Sequence, residues 1–289
     1  MQYIGNIIRP PSEADSIILQ VTVGCSYNKC TFCGAYKEQS FAIKSEQVVD
    51  EDLQFARSYC RNQKRLFLAD GDVLILSQRR LIEILLKIRK NLPWVTKVSL
   101  YGNARAVRNK SLTQLQELKG LGLDRIYLGL ESGCTEVLDL VQKGETHETM
   151  VDAGRKIRQA GLFLSVTALL GLGGSVLSEK HAKETAEALN KIGPNQIAVL
   201  TLMVLQNSPL GQRAASGDFI LPDSQQMLRE LHLLISGLNS NRCQFHANHA
   251  SSYLPLAGRL PRDKDVLLRT IENALAGSVP TVPESWRAL

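Results

Sequence analysis

The chain has 289 residues, of which 44% are hydrophobic and 21% charged. That is the balance of a folded globular chain, and it excludes an extensively disordered one. The formal charge of +6 tolerates an anionic substrate, but no dense Lys/Arg block points to a nucleic-acid partner.

The N-terminal MQYIGNIIRP lacks the charged-then-apolar pattern of a signal peptide. Six short apolar runs rich in β-formers follow, at 17–23, 66–69, 97–101, 125–130, 162–170 and 196–204, and are read as strands. The spacing between them predicts helices over 45–59, 79–90, 111–121, 147–160 and 178–192. Ser45 ahead of Glu46 and Gln47 makes a capping-box arrangement, and Leu81, Ile84, Leu85 and Ile88 share one helix face. Gly161 and Gly193 close the last two helices. This alternation predicts an α/β fold, a partial (β/α)6 TIM-like barrel whose chemistry lies on loops after the C-terminal strand ends.

Beyond about Asn207 the rhythm breaks. A turn, a helix over 225–239, a loop over 241–261, a helix over 263–276 and an irregular tail are expected. The expected organisation is a core at 1–206 and a mainly helical C-terminal extension at 207–289 that closes the barrel. The longest apolar run, 162–172, is interrupted by Ser165 and Thr167 and is too short for a bilayer, which needs roughly 20 residues. No membrane association and a cytoplasmic location are therefore expected.

Six cysteines are present, and Cys25, Cys30 and Cys33 fall within nine residues. That is not the framework of a small disulfide-rich secreted domain. Their C-x4-C-x2-C loop follows the first strand, at the catalytic end of the expected barrel. Ordinary four-iron clusters take four cysteines, so three thiolates would leave one iron open to a small molecule. A structural zinc site would need a fourth ligand, and no nearby His or Cys supplies one. A thioredoxin-like pair would not explain the third cysteine, and a Gly- and Ser-bearing loop is a poor place for core cysteines.

The segment 23–36 resembles the cluster loop of the radical S-adenosylmethionine (SAM) superfamily, whose usual motif is C-x3-C-x-aromatic-C. Here the first spacing is one residue longer, and Phe32 stands in the aromatic position, which packs near adenine in that family. The resemblance covers about two thirds of the chain. Asp70-Gly71-Asp72 stands where the family has a Gly-Gly-Glu-like segment that meets the SAM amino group; it is also good turn composition. The Gly129–Gly133 run resembles the G-x-E-S-G segment of methylthiotransferase-like and coproporphyrinogen-oxidase-like members, and so implies that Glu131 accepts from the ribose hydroxyls, with Ser132 beside it. Lys143 stands at the offset of a carboxylate-binding arginine in the latter branch, or is a solvated helix-end cation. Gly171 and Gly173 match a Gly-rich segment near ribose and adenine, or simply serve a loop. Asn103 and Arg105 either face SAM or substrate or lie on a surface loop. Cys134 is a candidate hydrogen-atom donor or a small residue in a turn. Cys243, His246 and His249 have a metal-like spacing.

The resemblance implies a [4Fe-4S] cluster and SAM, reductive cleavage to a 5′-deoxyadenosyl radical, and hydrogen abstraction from a small-molecule or peptide substrate. An electron donor such as flavodoxin or ferredoxin is implied as a partner. The alternative from another class is an iron–sulfur carrier that does not bind SAM.

Overall fold

Parallel strands joined by helical crossovers form the framework. A computed structural model describes residues 1–239 and 242–288; Asn241, the first residue of the expected 241–261 loop, lies outside them. The strands are β1 (Ile17–Gln20), β2 (Thr22–Val23), β3 (Ala42–Ile43), β4 (Arg65–Ala69), β5 (Lys97–Gly102), β6 (Leu123–Glu131), β7 (Phe163–Leu170), β8 (Gln196–Thr201), β9 (Cys243–Ala247) and β10 (Leu256–Leu260). The α-helices are α1 (Glu46–Tyr59), α2 (Gln78–Asn91), α3 (Ala104–Arg108), α4 (Leu112–Gly120), α5 (Thr135–Leu140), α6 (His147–Gln159), α7 (Gly174–Ile192), α8 (Pro209–Ser216), α9 (Ser224–Gly237) and α10 (Lys264–Leu275). None of the described helices is long and apolar enough to cross a membrane.

The chain divides into two compact units. The first holds Met1–Asn28, Ala35–Leu128 and Lys156–Leu164; the second holds Lys29–Gly34, Gly129–Arg155 and Ser165–Leu289. In the first, β4 lies parallel between β1 and β5, and β5 pairs parallel with β6, Gly102 opposite Leu128. Leu19, Leu66, Phe67 and Leu68 are fully buried, as expected for strands covered on both faces. Phe67, Tyr101 and Tyr127 meet edge to face at 5.1–6.1 Å between centroids, an arrangement that suits the aromatic quadrupoles. The N-terminal segment closes over this cluster through Glu13, which is wholly buried. Glu13 accepts from Arg65 at 2.7 Å, Tyr127 at 2.5 Å and Ser16 at 2.5 Å.

In the second unit β7, β8 and β9 are parallel and β10 returns antiparallel to β9. Helix α9 packs against both α7 and α10. The expected irregular 241–261 segment thus adds two strands. Its Gly, Pro and Ser content hid the alternation of Cys243, Phe245 and Ala247, which are buried, with Gln244 and His246, which are less so. The short helices α3, α5 and α8 also went unexpected, because segments of five to eight residues show little periodicity. Ser45 does cap α1, accepting from Val48 N–H at 3.4 Å. The reciprocal capping box lies instead at α4, between Ser111 and Gln114.

Candidate active site

The C-terminal end of β4 is the anchor of the first unit's half of the cysteine loop. Asp70 and Asp72 are both buried, and a buried carboxylate must be hydrogen-bonded to persist. Asp70 accepts from the Tyr36 hydroxyl at 2.7 Å and from Gly24 N–H at 3.3 Å. Asp72 accepts from the Ser26 hydroxyl at 2.5 Å and from Asn103 Nδ2 at 2.7 Å. The two carboxylates therefore grip the residues that flank Cys25. Burial raises the Asp70 carboxyl and pushes Asp72 up to about 6, partly offset by the Ser26 and Asn103 hydrogen bonds. Burial beside Asp70 also raises the Tyr36 phenol. Gly71 permits the close approach: a Cβ there would lie 2.8 Å from the Tyr36 ring and 3.2 Å from Cys25 Cβ. Asn103 Oδ1 caps α3 by accepting from Ala106 N–H at 2.8 Å, and Arg105 stacks 5.0 Å over Tyr27.

In the second unit, the 29–34 segment is tied down through Thr31. Its N–H donates to Val141 O at 2.9 Å, and its C=O accepts from Leu210 N–H at 3.0 Å. Phe32 packs on an apolar cluster of Cys134, Val137, Val141, Leu172, Leu202, Leu210 and Phe219. Cys30 and Cys33 are half-buried, as is Cys25 in the first unit. Among the described residues, no group of three or more His, Cys, Asp or Glu stands together as a ready metal site.

At the end of β6, Glu131 has φ 62°, a conformation uncommon for a non-glycine residue. Its carboxylate meets Lys143 Nζ at 3.0 Å, so two residues singled out from the sequence are ion-paired to each other. Gly129 leaves room for that pair, because a Cβ there would overlap Glu131 Oε1 and come within 3.3 Å of Lys143 Nζ. The Ser132 hydroxyl points inward: it bonds His181 Nδ1 at 2.8 Å and accepts from Cys134 N–H at 2.9 Å. Cys134 is fully enclosed, and burial with nearby Glu184 raises its thiol pKa. Gly171 uses both backbone groups internally, donating to Glu230 Oε1 at 2.7 Å and accepting from Gly174 N–H at 3.0 Å. Gly173 is the N-cap of α7.

The metal-like spacing of Cys243, His246 and His249 does not make a site. Cys243 and His246 lie three apart on β9 and so point to opposite faces of the strand; the first is buried and the second half-buried. His249 Nδ1 bonds the Ser251 hydroxyl at 2.9 Å and accepts its N–H at 3.1 Å. The sequence reading missed Ser26, Tyr36, His181 and Glu230. The last two were hidden as ordinary polar positions of amphipathic helices.

The donor set suits an iron–sulfur cluster with one open iron: three thiols in nine residues, one fewer than the usual four. Asn28 Oδ1 in the first unit and Thr31 Oγ1 in the second are each buried without a hydrogen-bond partner, which is uncommon for a buried polar atom.

Parallel strands, helical crossovers and a thiol loop after the first strands define a class, the α/β barrel proteins that build their chemistry on strand-end loops. The Radical SAM superfamily model matches residues 19–204, and the chain belongs to that superfamily. No curated protein sequence matches it. Among solved structures it is similar to the cobalamin-dependent S-adenosylmethionine radical enzyme OxsB, at 16% identity and TM-score 0.57, covering 91% of this chain and 46% of that one. It is also similar to coproporphyrinogen III oxidase (HemN) from Escherichia coli, at 18% identity and TM-score 0.56, covering 76% and 51%. Methylornithine synthase (PylB) matches at 14% identity and TM-score 0.54, covering 92% and 82%. The chain spans about half the length of the first two. These likenesses establish the partial-barrel fold.

Proposed function

We propose that this chain is a radical SAM enzyme in which Cys25, Cys30 and Cys33 hold a [4Fe-4S] cluster with one iron left for S-adenosylmethionine. The observation that carries the reading is the thiol loop, its Cys25 flanks gripped by buried Asp70 and Asp72 with no side chain at Gly71. When bound, cluster and SAM would supply one-electron reductive cleavage of SAM, with methionine as the leaving group, and hydrogen-atom abstraction from substrate.

The protein's own part is orientation and exclusion of water. Glu131 would accept from the ribose hydroxyls, and Lys143, held beside it, would offer its ammonium to the SAM carboxylate. Phe32 would pack against the adenine, Gly173 would offer backbone to the nucleoside, and the Asp70–Asp72 segment would meet the SAM amino group. Asn103 and Arg105, which follow β5, would meet SAM or substrate. For Cys134, enclosed among apolar side chains, packing is the role that burial supports. Residues 1–206 form the catalytic core and 207–289 the segment that closes it. A flavodoxin or ferredoxin delivers the electron, the substrate is a small molecule or peptide, and the enzyme works in the cytoplasm.

The test is anaerobic reconstitution with iron and sulfide, then SAM and dithionite. About four irons per chain and released 5′-deoxyadenosine are expected, and Cys25→Ala, Cys30→Ala and Cys33→Ala each abolish both. Iron and sulfide without SAM cleavage would favour an iron–sulfur carrier; zinc without sulfide would overturn both readings.

A further inference from the structure

A network of buried polar side chains in the second unit has no part in the chemistry described so far. Glu230 lies on α9, and its side chain is completely buried. Its Oε1 accepts from Gly171 N–H at 2.7 Å, and its Oε2 from the Ser178 hydroxyl at 2.5 Å. His181 of α7 lies 3.5 Å from the same carboxylate. His181 Nε2 is 3.1 Å from Leu169 O, a pure acceptor, so that nitrogen carries the proton. Nδ1 then accepts from the Ser132 hydroxyl at 2.8 Å, which itself accepts from Cys134 N–H. Every member is satisfied, and a fully satisfied buried network holds its parts in one arrangement.

The network's reach is what suggests a role. It begins on α9, ends at Ser132 after β6, and takes in Gly171 after β7. Ser132 adjoins Glu131, whose left-handed backbone must be held by its surroundings. Gly171 precedes the turn into Gly173 and α7. Glu230 thus holds the Gly171 segment by a direct hydrogen bond and packs against His181, which holds the Ser132 strand end; both are segments that the SAM reading assigns to the nucleoside.

We propose that Glu230, acting with His181, is a positioning residue for the nucleoside half of SAM: it locks the Glu131–Ser132 strand end and the Gly171–Gly173 turn in register. The inference rests on the SAM reading above. A merely structural role would weaken all ligands alike, whereas this one discriminates between SAM and methionine, which lacks the nucleoside.

The experiment compares reconstituted wild type with Glu230→Gln, a nearly isosteric change, and with Glu230→Ala, measuring SAM and methionine binding by anaerobic equilibrium dialysis. Glu230→Gln weakens SAM roughly tenfold, in the range for loss of a group that supports a ligand-binding residue. Methionine binding and iron content stay at the wild-type level, and Glu230→Ala, where it folds, weakens SAM further. Equal weakening of both ligands, no weakening of either, or loss of the cluster in Glu230→Gln would overturn the proposal. Failure of the wild type itself to bind SAM would instead sink the functional reading.

Discussion

Gly129 and Gly133 flank the same strand end, yet adding one methyl group to each should have different consequences. At Gly129 the new Cβ overlaps Glu131 Oε1 and approaches Lys143 Nζ, the far ends of two flexible side chains. They can swing away. The cost is the ion pair, at least the roughly 1 kcal/mol at the top of the exposed-pair range, because its partners are only 13% and 15% exposed, and replacing glycine in a strand returns roughly 0.5–1 kcal/mol. Gly129→Ala should therefore leave stability within about 1 kcal/mol of wild type while displacing the Glu131 carboxylate. At Gly133 the Cβ would overlap Glu184 O and lie 2.7 Å from Thr185 Cα and 2.8 Å from Ala188 Cβ. These belong to the backbone and innermost side chains of α7, which cannot move independently. Overpacking of this kind costs about 1–3 kcal/mol or more. Urea unfolding of both variants, with SAM affinity of reconstituted Gly129→Ala, separates the two effects. Gly129→Ala should unfold like wild type but bind SAM at least severalfold more weakly. Equal destabilisation by the two changes would refute the steric argument, and undiminished SAM affinity in Gly129→Ala would refute the role given to Glu131.

Three further expectations follow from buried groups. Glu13→Ala leaves Arg65 and the Tyr127 hydroxyl without their buried acceptor and should cost about 3 kcal/mol, measured by urea unfolding; a loss below about 1 kcal/mol would mean that the pair behaves as a surface one. Asp72 has its folded pKa raised from 3.8 to about 6, so its contribution is fully present below about pH 4 and is lost as pH rises through 6. A shift of about two units corresponds to on the order of 3 kcal/mol. Asp72→Asn should therefore gain that much on the wild type between pH 4 and 7 in the cluster-free chain; parallel stability curves would refute it. Finally, Cys243→Ser and His246→Ala should leave the iron and zinc content of reconstituted protein unchanged, since those side chains lie on opposite faces of β9. A lost metal ion in either variant would restore the second-site reading.

Periodicity made the core of the fold legible. Strand expectations at 97–101, 125–130 and 162–170 meet Lys97–Gly102, Leu123–Glu131 and Phe163–Leu170 because each run is rich in β-formers and most of its residues are buried, with only single polar residues interrupting it. Helix α2 was legible because Leu81, Ile84, Leu85 and Ile88 are the four residues it buries. Legibility failed where burial is local or one-sided. Strand β10, LAGRL, buries only its two ends, so its sequence resembles a turn. The 17–23 run is split at Val21, whose N–H and C=O bond Ala69 O and Lys44 N–H; no pattern of side chains announces which backbone partner a residue will take.

The candidate site divides along the same physical line. The thiols could be picked out by their spacing, and Asp70, Asp72, Glu131 and Lys143 by the resemblance of their segments to a known family. Their supports could not, because a supporting residue is chosen by where it stands after folding. Tyr36 reaches Asp70 across 34 positions, and Glu230 reaches Gly171 across 59, with ordinary sequence surroundings at both ends. The buried partners also change what the recognised residues can do. Ser132 and Gly171 look like ligand-facing groups in the sequence, yet His181 and Glu230 already occupy the Ser132 hydroxyl and the Gly171 N–H. On the proposed reading, the group left to meet a nucleoside is above all the Glu131 carboxylate, 15% exposed and paired with Lys143 at the strand end. That is why the position of this one carboxylate, set by Gly129 on one side and by the Glu230 network on the other, is where substitution should separate SAM binding from folding.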